Sequence, residues 1–480
     1  MIFHSLTFVA FFLAVVTVYW RLPHRAQNAW LLVTSYVFYG WVHPWFLTLI
    51  FASTVVDYWA ARGMATAPSR KRILLALSLV VNLGMLGFFK YYNFFAANVQ
   101  SALAALHLTV SLPALQVVLP VGISFYTFQE LSYTLGVYNG RLEARRNFLD
   151  FATFVCFFPQ LVAGPIERAA HLLPQVEQPR TFSWPLAREA MFLILWGYFK
   201  KLVVADNAGV IANKVFALQA PGFFVLWAGV FAFGIQIYAD FSAYSDIARG
   251  TARWLGFDLM QNFNHPYLAT GPADFWRRWH ISLSSWFRDY VYIPLGGSRA
   301  GRLIEYRNIF ATFLLSGFWH GASWNYVLWG AYHGALLVIA RLATSTQPAA
   351  TTSAQGPWRY LSAALTPLRI VGMLVLTNIG WLFFRETDAS YLWRELTTRP
   401  DLHNAFDVSA GTYLFLFVLI YSLPLWINSI WEVHVRPRRP AASEPSRGWL
   451  VTQTAIMGVL FALMLVLRSE QSLDFIYFRF

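Results

Sequence analysis

At 480 residues with 57% hydrophobic, 18% aromatic and only 12% charged side chains, the chain has too little polar surface for a soluble globule of its size. The formal charge of +13 does not point to nucleic acid, because the Lys and Arg fall in short loops between apolar runs and form no contiguous basic tract with interleaved aromatics. A single cysteine, Cys156, excludes an intramolecular disulfide and a cysteine-based metal cluster. It sits within Phe151–Phe158 and reads as a packing residue. The composition is that of an all-α polytopic membrane protein.

A helix needs about 20 apolar residues to cross the hydrocarbon core. Ile2–Tyr19 meets this, and with no basic n-region and no small-residue cleavage site it reads as a retained first helix, followed by Arg21 and Arg25. Asn28–Trp41 and Trp45–Ala61 are short and split at His43-Pro44, so they form either two crossings or one kinked helix. Arg70-Lys71-Arg72 precedes a clear crossing, Ile73–Phe95. Residues 96–120 carry no Lys or Arg, and Val121–Tyr138 then crosses back to meet Arg141, Arg145 and Arg146. With the short runs as separate crossings, the basic loops 21–27, 62–72 and 139–148 fall on one side, which the positive-inside rule makes cytoplasmic, leaving the N-terminus outside. Lys90 is the misfit, expected near the outer end of its helix and snorkelling to the interface.

Leu149–Gly164 is apolar but short and ends Phe157-Phe-Pro-Gln-Leu-Val-Ala-Gly-Pro165, with two helix breakers. That pattern predicts a re-entrant segment, since broken backbone at membrane depth survives only where protein or a cavity satisfies it. Ala190–Leu218 and Phe223–Ile247 form the next pair of crossings, the first interrupted by Lys200-Lys201 and Asp206. Near the inner end of the second, Asp240 and Tyr244 lie one turn apart, as do Ser242 and Asp246. An interfacial Asp246–Arg249 pair explains those two residues as well as catalysis does, whereas the deeper Asp240 has the better claim to a site.

Asp274–Arg307 is the most basic part of the chain. Trp276, Trp279, Leu283, Trp286 and Tyr290 recur at helical spacing opposite Arg277, Ser284 and Arg288, which predicts an amphipathic helix at the cytoplasmic interface. Simple anchoring accounts for the charge, but His280 falls on the buried side. The stretch Ser316-Gly-Phe-Trp-His320-Gly-Ala-Ser-Trp-Asn-Tyr-Val-Leu-Trp-Gly-Ala-Tyr-His333-Gly334 then places two imidazoles and the Asn325 amide in an apolar run. A polar group at membrane depth is expensive unless paired or facing a wet cavity, and marks a functional candidate. A lone His in an apolar helix is more often a packing residue. Here Gly317 and Gly321 bracket His320, and Gly330 and Gly334 repeat the spacing, allowing close backbone approach.

Ser345–Gly356 reads as a cytoplasmic loop. Ile370–Phe384 crosses outward, Tyr413–Ile430 returns to Arg436, Arg438, Arg439 and Arg447, and Leu450–Leu467 carries the chain out again. The tail Phe475-Ile-Tyr477-Phe-Arg-Phe480 is then at the outer face, given an even number of crossings in Ile309–Leu342. Its aromatics suit an interfacial belt, although that does not explain their place at the terminus.

No G-x-x-x-x-G-K, H-E-x-x-H or G-x-S-x-G occurs, which removes support for phosphate-loop, zinc-hydrolase and serine-esterase chemistry. What remains is a buried imidazole, a second imidazole and a basic face. A His can take the proton from a hydroxyl attacking an activated acyl carbonyl. Arginines at the entrance suit the phosphates of a nucleotide-bearing thioester.

Phe157–Pro165, Asp240-Phe-Ser-Ala-Tyr-Ser-Asp246, Asn262-Phe-Asn-His-Pro-Tyr267, the run from Asp274 through His280 to Gly297, and Gly317-Phe-Trp-His320-Gly-Ala-Ser-Trp resemble the membrane-bound O-acyltransferase family. The likeness is strongest to its bacterial branch, which O-acetylates alginate, peptidoglycan and other exopolysaccharides or D-alanylates teichoic acids. It spans nearly the whole chain. One small departure is Glu167, where the family often has an aliphatic residue after Gly-Pro-Ile.

The resemblance implies a fold of 10–12 transmembrane helices with re-entrant and interfacial helices around a central funnel. It implies one domain over 1–480: N-terminal helices 1–148, a catalytic core 149–343, C-terminal helices 344–472 and a tail 473–480. By the same likeness His320 is the catalytic His, His280 the second family His, and Tyr477 the hydroxyl that accepts the acyl group, with Asp240, Trp276, Arg277, Arg278, Trp319 and Asn325 candidates for the substrate funnel. No metal or bound cofactor is implied; the donor substrate is acetyl-CoA or another acyl thioester. Expected partners are the bilayer, a periplasmic esterase-like O-acetyltransferase and, indirectly, a polysaccharide such as alginate, with the chain in a bacterial inner membrane and both termini periplasmic. A polysaccharide or lipid transporter, whose intramembrane His, Asp and Asn line a path, and a noncatalytic envelope scaffold are the competing classes.

Overall fold

In hydrocarbon each backbone N–H and C=O must be satisfied within its own segment, and the apolar runs accordingly fold as helices. The computed structural model describes residues 1–116, 118–162, 164–345, 364–435 and 447–476, and no strand occurs among them. Six helices among the described residues are long and apolar enough to cross a membrane: Pro68–Ala105, Phe223–Trp254, Trp324–Ala343, Thr366–Arg385, Ala405–Val435 and Leu450–Leu467. The all-helical polytopic fold expected from composition is the one observed. The chain divides into two compact units, Met1–Trp196 with Tyr244–Met260, and Gly197–Ala243 with Gln261–Phe480.

In the first unit, α1 (Leu6–Tyr19) is followed by α2 (His24–Gly40) and α3 (Phe46–Thr66), which are separate helices and not one kinked rod. α4 (Lys71–Leu86) continues through a π turn, Gly87–Tyr91, into α5 (Tyr92–Ala105). The rod therefore runs ten residues past the predicted end at Phe95. Lys90 consequently lies inside it, with Nζ 3.5 Å from Ser124 Oγ, and not near its outer end. α6 (Ile123–Tyr138) packs against α3 and α4 through buried polar pairs: Ser53 and Thr54 of α3 donate to Glu130 Oε1 at 3.1 Å, and Ser78 of α4 donates to Thr134 Oγ1 at 3.2 Å, while Asn82 of α4 donates to Asp57 of α3 at 2.8 Å.

The predicted re-entrant segment is broken as expected, into α7 (Phe148–Cys156) and the single turn α8 (Phe158–Leu161). Its interrupted backbone is satisfied by side chains: the Phe158 N–H donates to Ser35 Oγ at 3.0 Å, and Gln160 Nε2 donates to the Phe154 carbonyl at 2.6 Å. α9 (Ala169–Glu177) follows. Glu167 is fully buried, and its carboxylate faces His171 Nδ1 at 2.8 Å and accepts the Met260 N–H. α10 (Trp184–Phe199) leads out of this unit.

The second unit opens with a π turn, Lys200–Ala205, and α11 (Asp206–Phe216). α12 (Phe223–Trp254) begins in this unit, its first N–H groups at Phe224 and Val225 capped by Asp407 at 3.1 and 3.0 Å, and its last eleven residues belong to the first unit. The segment predicted as one amphipathic helix is two short ones, α13 (Pro272–Arg278) and α14 (Ile281–Phe287), followed by a π turn at Arg288–Tyr292. α15 (Arg302–His320) and α16 (Trp324–Ser345) form a hairpin, against which α17 (Thr366–Arg385) packs. α18 (Ala389–Thr397), α19 (Ala405–Ile430) and α20 (Arg447–Leu467) complete the helices, and an extended strap runs from Ser469 to Ile476.

Candidate active site

His320 is the last residue of α15, and only three residues separate it from α16. So tight a turn requires the two helices to touch along their backbones, and glycines permit it: a Cβ on Gly317 would stand 2.1 Å from the Tyr326 carbonyl oxygen, and one on Gly330 would stand 2.3 Å from that of Phe313. The hairpin turns the His320 ring into an aromatic enclosure. Its centroid lies 5.0 Å from Trp319, 5.0 Å from Trp329 and 5.4 Å from Phe384, and the residue is 4% exposed.

His280 owes its position to the break that amphipathic spacing could not reveal. It adopts φ of +41°, a left-handed conformation uncommon outside glycine, and ends α13 from α14. The segment 262–264 takes over the interrupted ladder: the Asn264 N–H donates to the Arg278 carbonyl and the Ile281 N–H to that of Asn262, both at 2.9 Å. Ser282 Oγ closes the corner on Asn262 Oδ1 at 2.6 Å. The break aims the imidazole inward, edge-on to Phe241 at 4.6 Å and 6.4 Å between centroids from His320. Burial pushes the His280 imidazole down to about 3, so it is neutral at ordinary pH.

Asp240 belongs to a buried ionic cluster. Lys201 Nζ lies 3.1 Å from Asp240 Oδ1 and 2.9 Å from Asp206 Oδ1, and it donates to the Leu473 carbonyl at 2.7 Å. Asp240 Oδ2 accepts the Ile476 N–H at 2.8 Å. Phe475 packs on Phe241 at 6.0 Å between ring centroids, and Phe241 is the ring against which His280 rests. The described end of the strap is thus one aromatic ring from the imidazole pair. Tyr477 lies outside the described residues, as do the 346–356 part of the predicted loop and Arg436, Arg438 and Arg439.

The other candidates separate. Trp319 joins the enclosure. Trp276 packs on Phe313 at 4.8 Å and His333 at 5.1 Å, one ring removed from His320 through Trp329. Arg277 is exposed at the surface, and Arg278 is held by Asp274 at 2.9 Å. Burial alone would raise the Asp274 carboxyl; the Arg278 hydrogen bond, the Thr270 N–H and the charges of Arg278 and Arg277 outweigh it and hold the group below the usual carboxylate range. Asn325 donates to the Phe383 and Phe384 carbonyls at 3.3 Å, among the otherwise orphaned acceptors at the end of α17, and so fixes the Phe384 wall of the enclosure. Sequence reasoning did not single out Trp329, Phe384 or Lys201. Trp329 and Phe384 carry only the signal of aromatic residues in apolar runs, and Lys201 registered only as an interruption.

Two buried imidazoles in an aromatic enclosure can accept, hold or return a proton at a hydroxyl, and the surrounding rings offer flat apolar walls to a small acyl group.

Residues 45–379 match the membrane-bound O-acyltransferase family. The chain is similar to "Probable alginate O-acetylase AlgI" of Azotobacter vinelandii, 36% identical with the whole of both chains covered. It is similar to the protein of that name in Pseudomonas aeruginosa, 40% identical over 82% of this chain and 74% of the other. "Peptidoglycan O-acetyltransferase" of Helicobacter pylori is 30% identical over 100% of this chain and 98% of its own.

Proposed function

The chain belongs to the membrane-bound O-acyltransferase family, and from that premise we propose that it moves an acetyl group from a cytoplasmic thioester across the membrane for O-acetylation of an extracytoplasmic polysaccharide such as alginate. It is an integral membrane O-acyltransferase. The observation that carries the finer reading is the enclosure of His320 beside His280, with Phe475 of the C-terminal strap one ring away.

In the proposed reaction the donor, acetyl-CoA or another acyl thioester, presents its carbonyl inside the enclosure. His320 takes or orients the proton of the acceptor hydroxyl, for which Tyr477 is the candidate. The oxygen attacks the carbonyl carbon, the new C–O bond forms as the C–S bond breaks, and the proton passes to the departing thiolate, so the step balances as ester plus thiol. The neutral His280 is suited to hold a neighbouring hydroxyl or carbonyl by a hydrogen bond and not to supply a charge. Trp319, Trp329 and Phe384 exclude water that would hydrolyse the thioester.

The acetyl group leaves as an ester to an esterase-like partner in the periplasm, which modifies the polymer. The distribution of Lys and Arg supports an inner-membrane location with both termini periplasmic. Peptidoglycan is the second reading for the acceptor, favoured by the full-length similarity to the Helicobacter protein.

The test is base-labile acetate in separated exopolysaccharide and peptidoglycan fractions, from cells carrying the intact chain or His320→Ala. Loss from one fraction names the acceptor. Equal acetate in both fractions, with the variant inserted and expressed normally, would sink the assignment of His320 or of acetate. Tyr477→Phe removes only a hydroxyl, and unchanged product in that variant would return the tail to an aromatic anchor.

A further inference from the structure

We infer that Lys201, Asp206 and Asp240 form a latch that seats the C-terminal strap beside the imidazole pair, which makes them positioning residues for acyl transfer; the inference rests on the acyl-transfer reading above. An ammonium has three N–H donors and no acceptor. Lys201, which is 1% exposed, meets the Asp206 and Asp240 carboxylates at ion-pair distance and donates to the Leu473 carbonyl. Asp240 spends its second oxygen on the Ile476 N–H. One ammonium and one carboxylate therefore grip the strap at both ends of residues 473–476.

The helix is built to deliver that ammonium. The π turn at Lys200–Ala205 widens the coil, so that two consecutive lysines point inward: Lys200 is 3% exposed and donates to Ser242 Oγ at 3.0 Å, beside the buried Lys201. The same turn leaves the Leu202 carbonyl to accept the Ser469 N–H at 3.1 Å, at the start of the strap. Asn207 Nδ2 reaches the Leu467 carbonyl at 3.1 Å, and the Leu473 side chain fills the space over Gly209 that a Cβ would occupy, with Cδ1 2.5 Å from it. Four contacts from one stretch of helix, at Lys201, Leu202, Asn207 and Gly209, thus converge on residues 467–473.

Stability alone does not account for this design, because a buried ion pair recovers little more than its desolvation cost, and well-packed apolar side chains serve as well or better. What the ions add is a fixed address for the strap. With the Ile476 N–H held, Phe475 lies against Phe241, and Phe241 against His280. The next residue in the chain is Tyr477.

The experiment uses the full chain in lipid nanodiscs with acetyl-CoA as the probe. Amide hydrogen exchange of the C-terminal peptide is read together with acetyl transfer and the donor KM. Lys201→Met is expected to speed exchange at residues 473–476 at least tenfold, leave the α15 and α16 peptides protected, and cut transfer at least tenfold with the donor KM unchanged. Should that variant fail to fold, Ile476→Pro removes the gripped N–H while leaving Lys201, Asp206 and Asp240 in place, and is expected to lose transfer equally. A strap that stays protected in Lys201→Met, or a released strap with undiminished transfer, overturns the inference. Failure of the acceptor assignment shows separately, as normal transfer in Tyr477→Phe with the strap still protected.

Discussion

Gly380 and His333 are in contact across the α16–α17 crossing: a Cβ on Gly380 would stand 2.6 Å from His333 Nε2. His333 is fully buried and edge-on to Trp329 at 5.0 Å, and Trp329 is a wall of the His320 enclosure. Gly380→Ala is therefore expected to overpack the core, at about 1–3 kcal/mol of stability. Because the clash is with one side chain, adding His333→Ala should relieve it. A double-mutant cycle by thermal unfolding checks this, with a double variant less destabilised than the sum of the singles.

The left-handed backbone at His280 separates its side-chain role from its conformational one. Asn tolerates positive φ, whereas a β-branched residue does not. His280→Val should lose about 1–2 kcal/mol of stability more than His280→Asn from backbone strain alone. Both should lose acyl transfer. Parallel unfolding and activity measurements on the purified variants check the split.

Asn325→Leu removes the donor to two buried carbonyls and leaves them unsatisfied, at about 1–3 kcal/mol. Phe384, freed at the end of α17, is 5.4 Å from His320. Transfer should fall through kcat more than through donor KM, since the change acts on the enclosure wall. Steady-state kinetics decides it.

The Glu167–His171 pair predicts a pH dependence. The Glu167 hydrogen bond raises the half-buried His171 imidazole, while burial raises the Glu167 carboxyl against the His171 and Met260 contacts. A raised imidazole contributes stability that is fully present below its unfolded value of about 6.5 and is lost as pH rises through its folded value. Glu167→Gln should lower the His171 titration midpoint, followed by histidine NMR. The gap in thermal midpoint between the intact chain and this variant should close as pH rises from 6 towards 9.

The apolar runs, the break within Leu149–Gly164 and the close backbone approach at the glycines around His320 were legible because each rests on local pattern: run length, paired breakers, small residues four apart. The break at His280 was not. Trp276, Trp279, Leu283 and Trp286 hold helical spacing through it, and the cause is a distant segment, Asn262–Asn264, that supplies substitute hydrogen bonds. Lys201 was opaque for the same reason. Read locally, two lysines disrupt a crossing, and only the return of a strap more than 260 residues later provides the carbonyl that completes the ammonium's contacts. Glu167, a departure from the family's aliphatic preference, is accommodated by His171 one turn on, a spacing that was available in the sequence.

Cys156, the chain's sole thiol, is fully buried in α7. Aqueous maleimides and spin labels therefore meet a silent background, and a cysteine introduced on the strap, for example Asp474→Cys, would report its surroundings without first stripping the protein of native thiols.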